Sequence, residues 1–159
     1  MILHLLRHSK TNQISSSGKD FDRELLDRGK EQARMMAEHF KEMSIITASV
    51  YCSSAIRTRE TLAIIQEEIN FTDITYLDEL YLASEAALLQ FLWEKDAEDI
   101  MIIGHNEGLS DLASYCMGAE IHLKTCSYIK INISVIFYGQ EYKKYHIFLN
   151  LDYLLFLFY

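Results

Sequence analysis

Two stretches of this chain are almost continuously apolar, and each leads into a histidine. Residues 1–6 run into Arg7-His8, and residues 100–103 run through Gly104 into His105. Such runs lack the in-and-out alternation of a half-exposed strand, so they predict strands buried on both faces, as in a parallel sheet. Between and after them the pattern changes period. Residues 25–43 carry Leu26, Ala33, Met36, Ala37 and Phe40 at helical spacing, which predicts an amphipathic helix. Residues 48–52 are a short strand-like run, after which Ser53 is placed to cap a helix with Ile56, Leu62, Ile65 and Ile69 on one side. Residues 74–77 predict a strand, and 84–95 a helix with Ala87, Leu88, Phe91 and Leu92 turned inward. Residues 107–117 predict a helix that leaves the 104–106 turn.

The last third reads differently. Residues 128–138, a turn at Gly139-Gln140, and residues 142–151 predict a β-hairpin. Strands alternating with helices up to that point predict an α/β fold: a three-layer α/β/α sandwich with a mostly parallel central sheet and a C-terminal hairpin. No linker, internal repeat or low-complexity tract divides the chain, so residues 1–159 are read as a single domain. A flavodoxin-like receiver has the same layers, but no aspartate cluster follows the first strand.

Composition narrows the function. With half its residues apolar, a chain of 159 residues can bury a real core. A net charge of −8 argues against a nucleic-acid surface while leaving room for a local cationic pocket. Cys52, Cys116 and Cys126 have neither zinc-ligand spacing nor the pairing of a disulfide framework, and no Asp/His cluster has metal-ligand spacing. No cofactor or metal is therefore expected, and a reducing cytoplasm is the expected location. No run approaches the roughly 18 apolar residues of a membrane span, and residues 1–4 lack the charged start of a signal peptide. The apolar tail 152–159 must pack on its own core or on another subunit. Packing within the chain is the expectation, and with it a monomer rather than a dimer.

The chemistry gathers at strand ends. Ligands of open α/β sheets bind at the carboxyl ends of the strands, where Arg7-His8 and His105 fall. A histidine can attack phosphorus, and a guanidinium can hold the phosphate that is attacked. Arg57 sits in the first turn of its predicted helix, where backbone N–H groups already favour an anion. Arg23 can reach the same edge from the loop. Taken alone, His8 reads better as a histidine satisfied by hydrogen bonds at a strand end, so a catalytic role depends on what converges with it. His4, His39, His122 and His146 read as ordinary core or surface positions, and Arg59 as a surface ion pair.

The run Leu5-Leu6-Arg7-His8-Ser9-Lys10-Thr11, then Arg23-Glu24-Leu25 with Gly29, resembles the histidine phosphatase superfamily. Residues 53–61 (Ser-Ser-Ala-Ile-Arg-Thr-Arg-Glu-Thr), Leu80-Tyr81, and residues 104–109 (Gly-His-Asn-Glu-Gly-Leu) extend the likeness to about Ile131. The branch it looks like is the SixA-type phosphohistidine phosphatases, short members with little between these motifs. That resemblance implies a phosphoglycerate mutase-like fold, His8 as the nucleophile, and Arg7, Arg57 and His105 as holders of the phosphoryl oxygens. Arg23 would line the same pocket and bind substrate. The proton donor would be a carboxylate after the third strand, Asp78 or Glu79.

The chain departs from the pattern in having Ser9 where many members have glycine. It also lacks proline at Ser54 and Glu107, and indeed anywhere, against a usual content of about 5%. Glu107 is expected to face solvent at a helix start. The implied function is metal-independent hydrolysis of phosphohistidine on a carrier or phosphorelay protein, through a phosphohistidine enzyme intermediate. The alternatives are a small-molecule phosphomonoesterase of the same superfamily and a non-catalytic phosphate- or phosphoprotein-binding module.

Overall fold

The computed structural model describes residues 1–45, 48–136, 146–149 and 154–156. Its centre is a seven-stranded sheet. Strands β1 (Ile2–Arg7), β2 (Ser49–Ser53), β3 (Ile74–Leu77) and β4 (Asp99–Gly104) run parallel in the order β3-β2-β4-β1. Next to β1 lies β5 (Tyr128–Ile136), which is antiparallel to it. The far side of β5 is shared by β6 (His146–Leu149) and β7 (Leu154–Phe156), both antiparallel to it. The expected hairpin is thus present as β5 and β6, while its turn at Gly139-Gln140 lies outside the described residues. Of the apolar tail, Leu154–Phe156 adds to the chain's own sheet, the packing expected of it.

Helices cover both faces, which is why β1 and β4 are apolar without alternation. On one face, Leu3, Leu5, Ile100 and Ile102 pack under α3 (Glu85–Trp93) and α4 (Gly108–Met117), against Leu88, Phe91, Leu92, Leu109 and Leu112. On the other face, Leu6, Val50, Met101 and Ile103 meet Met36, Ala37 and Phe40 of α1 (Asp27–Glu42) and Leu62 and Ile65 of α2 (Ile56–Ile65). Leu3, Leu5, Ile100 and Ile102 are all fully buried, and truncating any of them to alanine costs about 2–5 kcal/mol. Among the described residues no helix is long and apolar enough to cross a membrane.

Element ends depart from expectation where a local contact outweighs periodicity. Leu26 is not in the core. It is the cap residue of α1, 38% exposed, and Leu25 takes the buried place beside it. Ala87 is exposed, because Ser84 caps α3 through the Ala87 N–H and turns that first helical turn outward. Ile69 is buried but lies beyond α2, which ends at Ile65.

Ser53 does not cap α2 either. The strand continues through Ser53, and the helix begins three residues later with Ala55 at the cap. Arg59 stacks over the Tyr76 ring rather than forming an ion pair, and His39 lies half-buried with its ring edge-on to Tyr128.

Candidate active site

Strand register builds the site. In the β1–β4 pair Arg7 lies opposite Gly104, so the next residues, His8 and His105, leave the sheet side by side. The His8 N–H donates to the Gly104 carbonyl (3.0 Å), which ties the two strand ends together. The His8 and His105 ring centroids are 5.4 Å apart. On the other flank of β4, β2 ends at Ser53, whose hydroxyl lies 2.8 Å from His105 Nε2. Two histidines and the start of α2 therefore share one carboxyl edge of the sheet.

Hydrogen bonds define the state of each imidazole. His8 Nδ1 lies 2.8 Å from the Ser9 carbonyl oxygen. A carbonyl can only accept, so in neutral His8 the proton is on Nδ1 and the lone pair is on Nε2. Nε2 has no hydrogen bond to any described residue, although His8 is only 7% exposed. Burial pushes the His8 pKa down to about 3, helped by His105, Arg57 and Arg7 and opposed by the Ser9 bond. His105 is likewise lowered to about 3 by burial, then by Arg57 and Arg7, with Asp20 opposing. Ser53 Oγ also accepts the Ala55 N–H at 3.5 Å and can either donate to or accept from His105 Nε2. When Ser53 donates to Nε2, neutral His105 carries its proton on Nδ1, a buried atom with no hydrogen-bond partner among the described residues.

The arginines come from three elements. Arg7 ends β1 and donates through Nη1 to the Leu123 carbonyl (2.7 Å). Its pKa is lowered by burial and by Arg57 nearby. Arg57, in the first turn of α2, is 2% exposed. One of its terminal nitrogens donates to the Asp20 carbonyl (2.6 Å), and the other donates to Asp20 Oδ2 (2.9 Å). Arg23 reaches the same carboxylate, Nη1 to Asp20 Oδ1 at 2.8 Å, while its Nε and Nη2 hold Asn12 and Thr11. The Tyr81 hydroxyl donates to Asp20 Oδ2 (2.8 Å), its ring stands edge-on to His105, and the Arg57 guanidinium lies 5.6 Å from the ring centre. Arg7 and Arg57 each keep a buried Nε without a described partner.

The motif around Arg57 also fastens the loops. Thr61, one turn further on, donates to the Arg57 carbonyl and accepts the Ser9 N–H. Glu60 accepts the Leu25 N–H at 2.7 Å. Gly29 lets α1 approach the chain just past His8, for a Cβ there would stand 2.0 Å from the Lys10 carbonyl oxygen. Gly108 does the same at α4, where a Cβ would meet the Ala83 carbonyl oxygen at 1.9 Å. Glu107 is exposed, as expected of it, and holds φ +44°, a left-handed conformation unusual outside glycine.

Arg7, His8, Arg57 and His105 thus meet at one edge, and Arg23 joins them through Asp20. The two candidate acids do not. Asp78 accepts from the Ser54 hydroxyl, and Glu79 lines a hollow with Gln90 of α3 and Glu94 at its end. Among the described residues neither bonds to His8, Arg7, Arg57 or His105. Their 3-10 turn, Asp78–Leu80, instead buries Leu80 and delivers Tyr81. Sequence reasoning gave Asp20, Ser53 and Tyr81 no role in the site. Two acids just before Arg23, and a tyrosine three residues after Asp78, were the signals available. Among the described residues no group of three or more His, Cys, Asp or Glu side chains could hold a metal ion.

Comparison with known proteins agrees with this geometry. Residues 3–81 match the family model of the histidine phosphatase superfamily, branch 1. A chloroplastic protein of Arabidopsis thaliana, itself uncharacterized, is 32% identical over 139 residues, 79% of this chain. The chain spans 63% of the length of that relative. A crystal structure assigned as the phosphohistidine phosphatase SixA of Agrobacterium tumefaciens superposes with a TM-score of 0.78 at 22% identity, covering 96% of each chain. The protein histidine phosphatase SixA in complex with tungstate superposes with a TM-score of 0.73 at 20% identity, covering 84% of this chain and 88% of that one. These likenesses establish the phosphoglycerate mutase-like fold. With the family match across β1, α1, α2 and Tyr81, and His8 and Arg57 set at one sheet edge, the chain belongs to the histidine phosphatase superfamily.

Proposed function

We propose that this protein is a metal-independent phosphohistidine phosphatase that uses His8 Nε2 as its nucleophile. The observation carrying this reading is the state of His8: neutral, Nδ1–H fixed on the Ser9 carbonyl, and Nε2 unengaged near the buried Arg57 and the half-buried Arg7. In the first step Nε2 attacks phosphorus, the bond from phosphorus to the leaving nitrogen breaks, and the substrate's imidazole, already protonated on its other ring nitrogen, departs neutral. The Ser9 carbonyl then faces an imidazolium-like Nδ1–H, which it stabilises. In the second step water attacks phosphorus, the Nε2–P bond breaks, and orthophosphate leaves. Arg7, Arg57 and the His105 Nδ1–H hold the oxygens over which charge spreads in each transition state.

The choice of substrate rests on proton supply. Asp20 is the carboxylate in contact with the pocket, and its hydrogen bonds from Arg23, Tyr81 and Arg57 hold its pKa far below the usual carboxylate range. It does not donate a proton near neutrality. Asp78 and Glu79, the expected donors, are engaged with Ser54 and turned toward α3. A phosphoramidate whose nitrogen is already protonated needs little further acid, whereas an alkyl phosphate ester needs a good one. This favours a phosphohistidine displayed on a carrier or phosphorelay protein over a small phosphomonoester. Residues 1–159 act as one domain on this reading, as a monomer, with Leu154–Phe156 spent on its own sheet. Cys52, Cys116 and Cys126 are buried and unpaired, which suits a reducing cytoplasm.

Turnover of a phosphohistidine protein, compared with sugar and nucleotide phosphates at equal concentration, tests the choice. Preference for the phosphoramidate supports it. Preference for the esters, abolished in Asp78→Asn or Glu79→Gln, selects the phosphomonoesterase reading. Phosphate binding without turnover of any substrate selects a binding module.

A further inference from the structure

Asp20 fills a position that its own residue type does not require. It belongs to a three-residue 3-10 turn (Asp20–Asp22) in an otherwise exposed loop, and its carboxylate accepts from Arg57, Arg23 and Tyr81. Three donors around one anion are what a phosphoryl group would also find there. Each terminal nitrogen of Arg57 donates once to Asp20, one to its carbonyl and one to its carboxylate, so the least exposed cation of the pocket already holds an anion.

The turn that carries this carboxylate is lightly held. Asp20 is 45% exposed at its side chain, and beyond the pocket contacts the turn rests on Phe21 packed edge-on against Tyr81, ring centroids 4.9 Å apart. Serine hydroxyls brace its start, Ser15 on the Lys19 carbonyl and Ser17 on the Asp22 carboxylate. By contrast Arg57, His8 and His105 are buried and fixed. The part able to move is the carboxylate, not the cation.

We infer that Asp20 is an exchangeable latch: its carboxylate occupies Arg57 in the empty pocket, gives way to the phosphoryl group of the substrate, and returns to help expel orthophosphate. This rests on the phosphate-pocket reading proposed above and adds to it the residue that sets anion affinity. An exchange of one anion for another leaves the buried guanidinium paired throughout, which avoids the cost of a lone buried charge. It also lowers affinity for free phosphate, the product of every turnover, because each binding event must first break the Asp20 contacts.

Calorimetric titration of the full chain with orthophosphate and with tungstate tests the latch. Asp20→Asn is expected to tighten orthophosphate about tenfold, the equivalent of one charge-assisted hydrogen bond. Phe21→Ala changes no charge but loosens the turn, and is expected to tighten the same anion by about threefold. In the wild type, amide exchange across residues 19–23 should speed up as tungstate saturates the pocket, while the His8 and Arg57 segments become protected.

Weaker or unchanged binding in Asp20→Asn overturns the latch and makes Asp20 a positioning residue for Arg57. Tightening in Asp20→Asn with none in Phe21→Ala reduces the effect to charge alone and also overturns it. If Asp20→Asn fails to fold, Phe21→Ala and the wild-type exchange decide. If neither the wild type nor the variants bind orthophosphate or tungstate, the phosphate pocket itself fails, a result distinct from the other outcomes.

Discussion

His4 lies within β1 and His8 just past its end, and both are buried, at 1% and 7% exposure, yet they differ in what their polar contacts leave over. His4 uses both nitrogens. Nε2 lies 2.8 Å from Asp99 Oδ1 and Nδ1 lies 2.6 Å from the Tyr128 hydroxyl. With the Nε2 proton facing the Asp99 carboxylate at ion-pair distance, neutral His4 accepts the Tyr128 hydroxyl at Nδ1 and no lone pair remains. His8 uses only Nδ1, on Ser9, and keeps the Nε2 lone pair. Burial lowers the pKa of both, so a depressed pKa does not mark the reactive one. The nucleophilic role proposed for His8 rests instead on its unspent lone pair near two guanidiniums. Position in the sheet explains the contrast, since His4 sits mid-strand between β4 and β5 while His8 leaves the carboxyl edge.

Substitutions can break this comparison at either end. His8→Ala should remove turnover by at least about 10⁴-fold, roughly 5 kcal/mol of barrier, with little loss of melting temperature. His105→Ala, which deletes the donor proposed for the phosphoryl oxygens, should cost about 10²–10³ in kcat. His4→Ala should do the reverse of His8→Ala. It leaves Asp99 and Tyr128 without their shared partner, so about 3 kcal/mol of stability and about 10 °C of Tm should go, with kcat per folded molecule unchanged. Paired thermal denaturation and steady-state kinetics on the three variants would read all of this. A His4→Ala enzyme that folds normally but loses kcat would undo the contrast.

Acidity sharpens the same point. His8 and His105 titrate near 3 in the folded chain and near 6.5 when unfolded. Between those values the unfolded state binds more protons, so stability is complete above about pH 6.5 and falls as pH drops toward 3. A Tm lower by about 10 °C at pH 4 than at pH 7 is expected, while the acid limb of kcat/KM lies below the ordinary histidine range. A limb near 6.5 would mean that His8 is not held neutral. The smallest effect concerns Glu107. Replacing it by glycine relieves its positive φ and should raise stability by about 1 kcal/mol, visible as about 3 °C in Tm.

How far the sequence could be read follows from the range of the interactions. The buried runs before His8 and His105 placed both residues, because parallel strands of known direction need only register to bring their ends together. Arg57 was legible from its place in a helix start. Asp20 was not, since it meets Arg57 across 37 residues through a loop with no periodic pattern. Ser53 looked like a cap because serine before a helix usually is one, and only the extra strand residue turns it to His105 instead. Asp78 and Glu79 stood in the right neighbourhood, but a single 3-10 turn aims Tyr81 at the pocket in their place.

The central claim is that phosphate passes through Nε2 of His8. Rapid acid-free quenching after mixing with a phosphohistidine protein, followed by nitrogen-resolved NMR and peptide mapping of the enzyme, would test it most directly. The expected species carries phosphate on Nε2 of His8, with Nδ1 still protonated against Ser9, and is missing in His8→Ala. Phosphate on Nδ1, on His105, or equally on the wild type and His8→Ala would contradict the account.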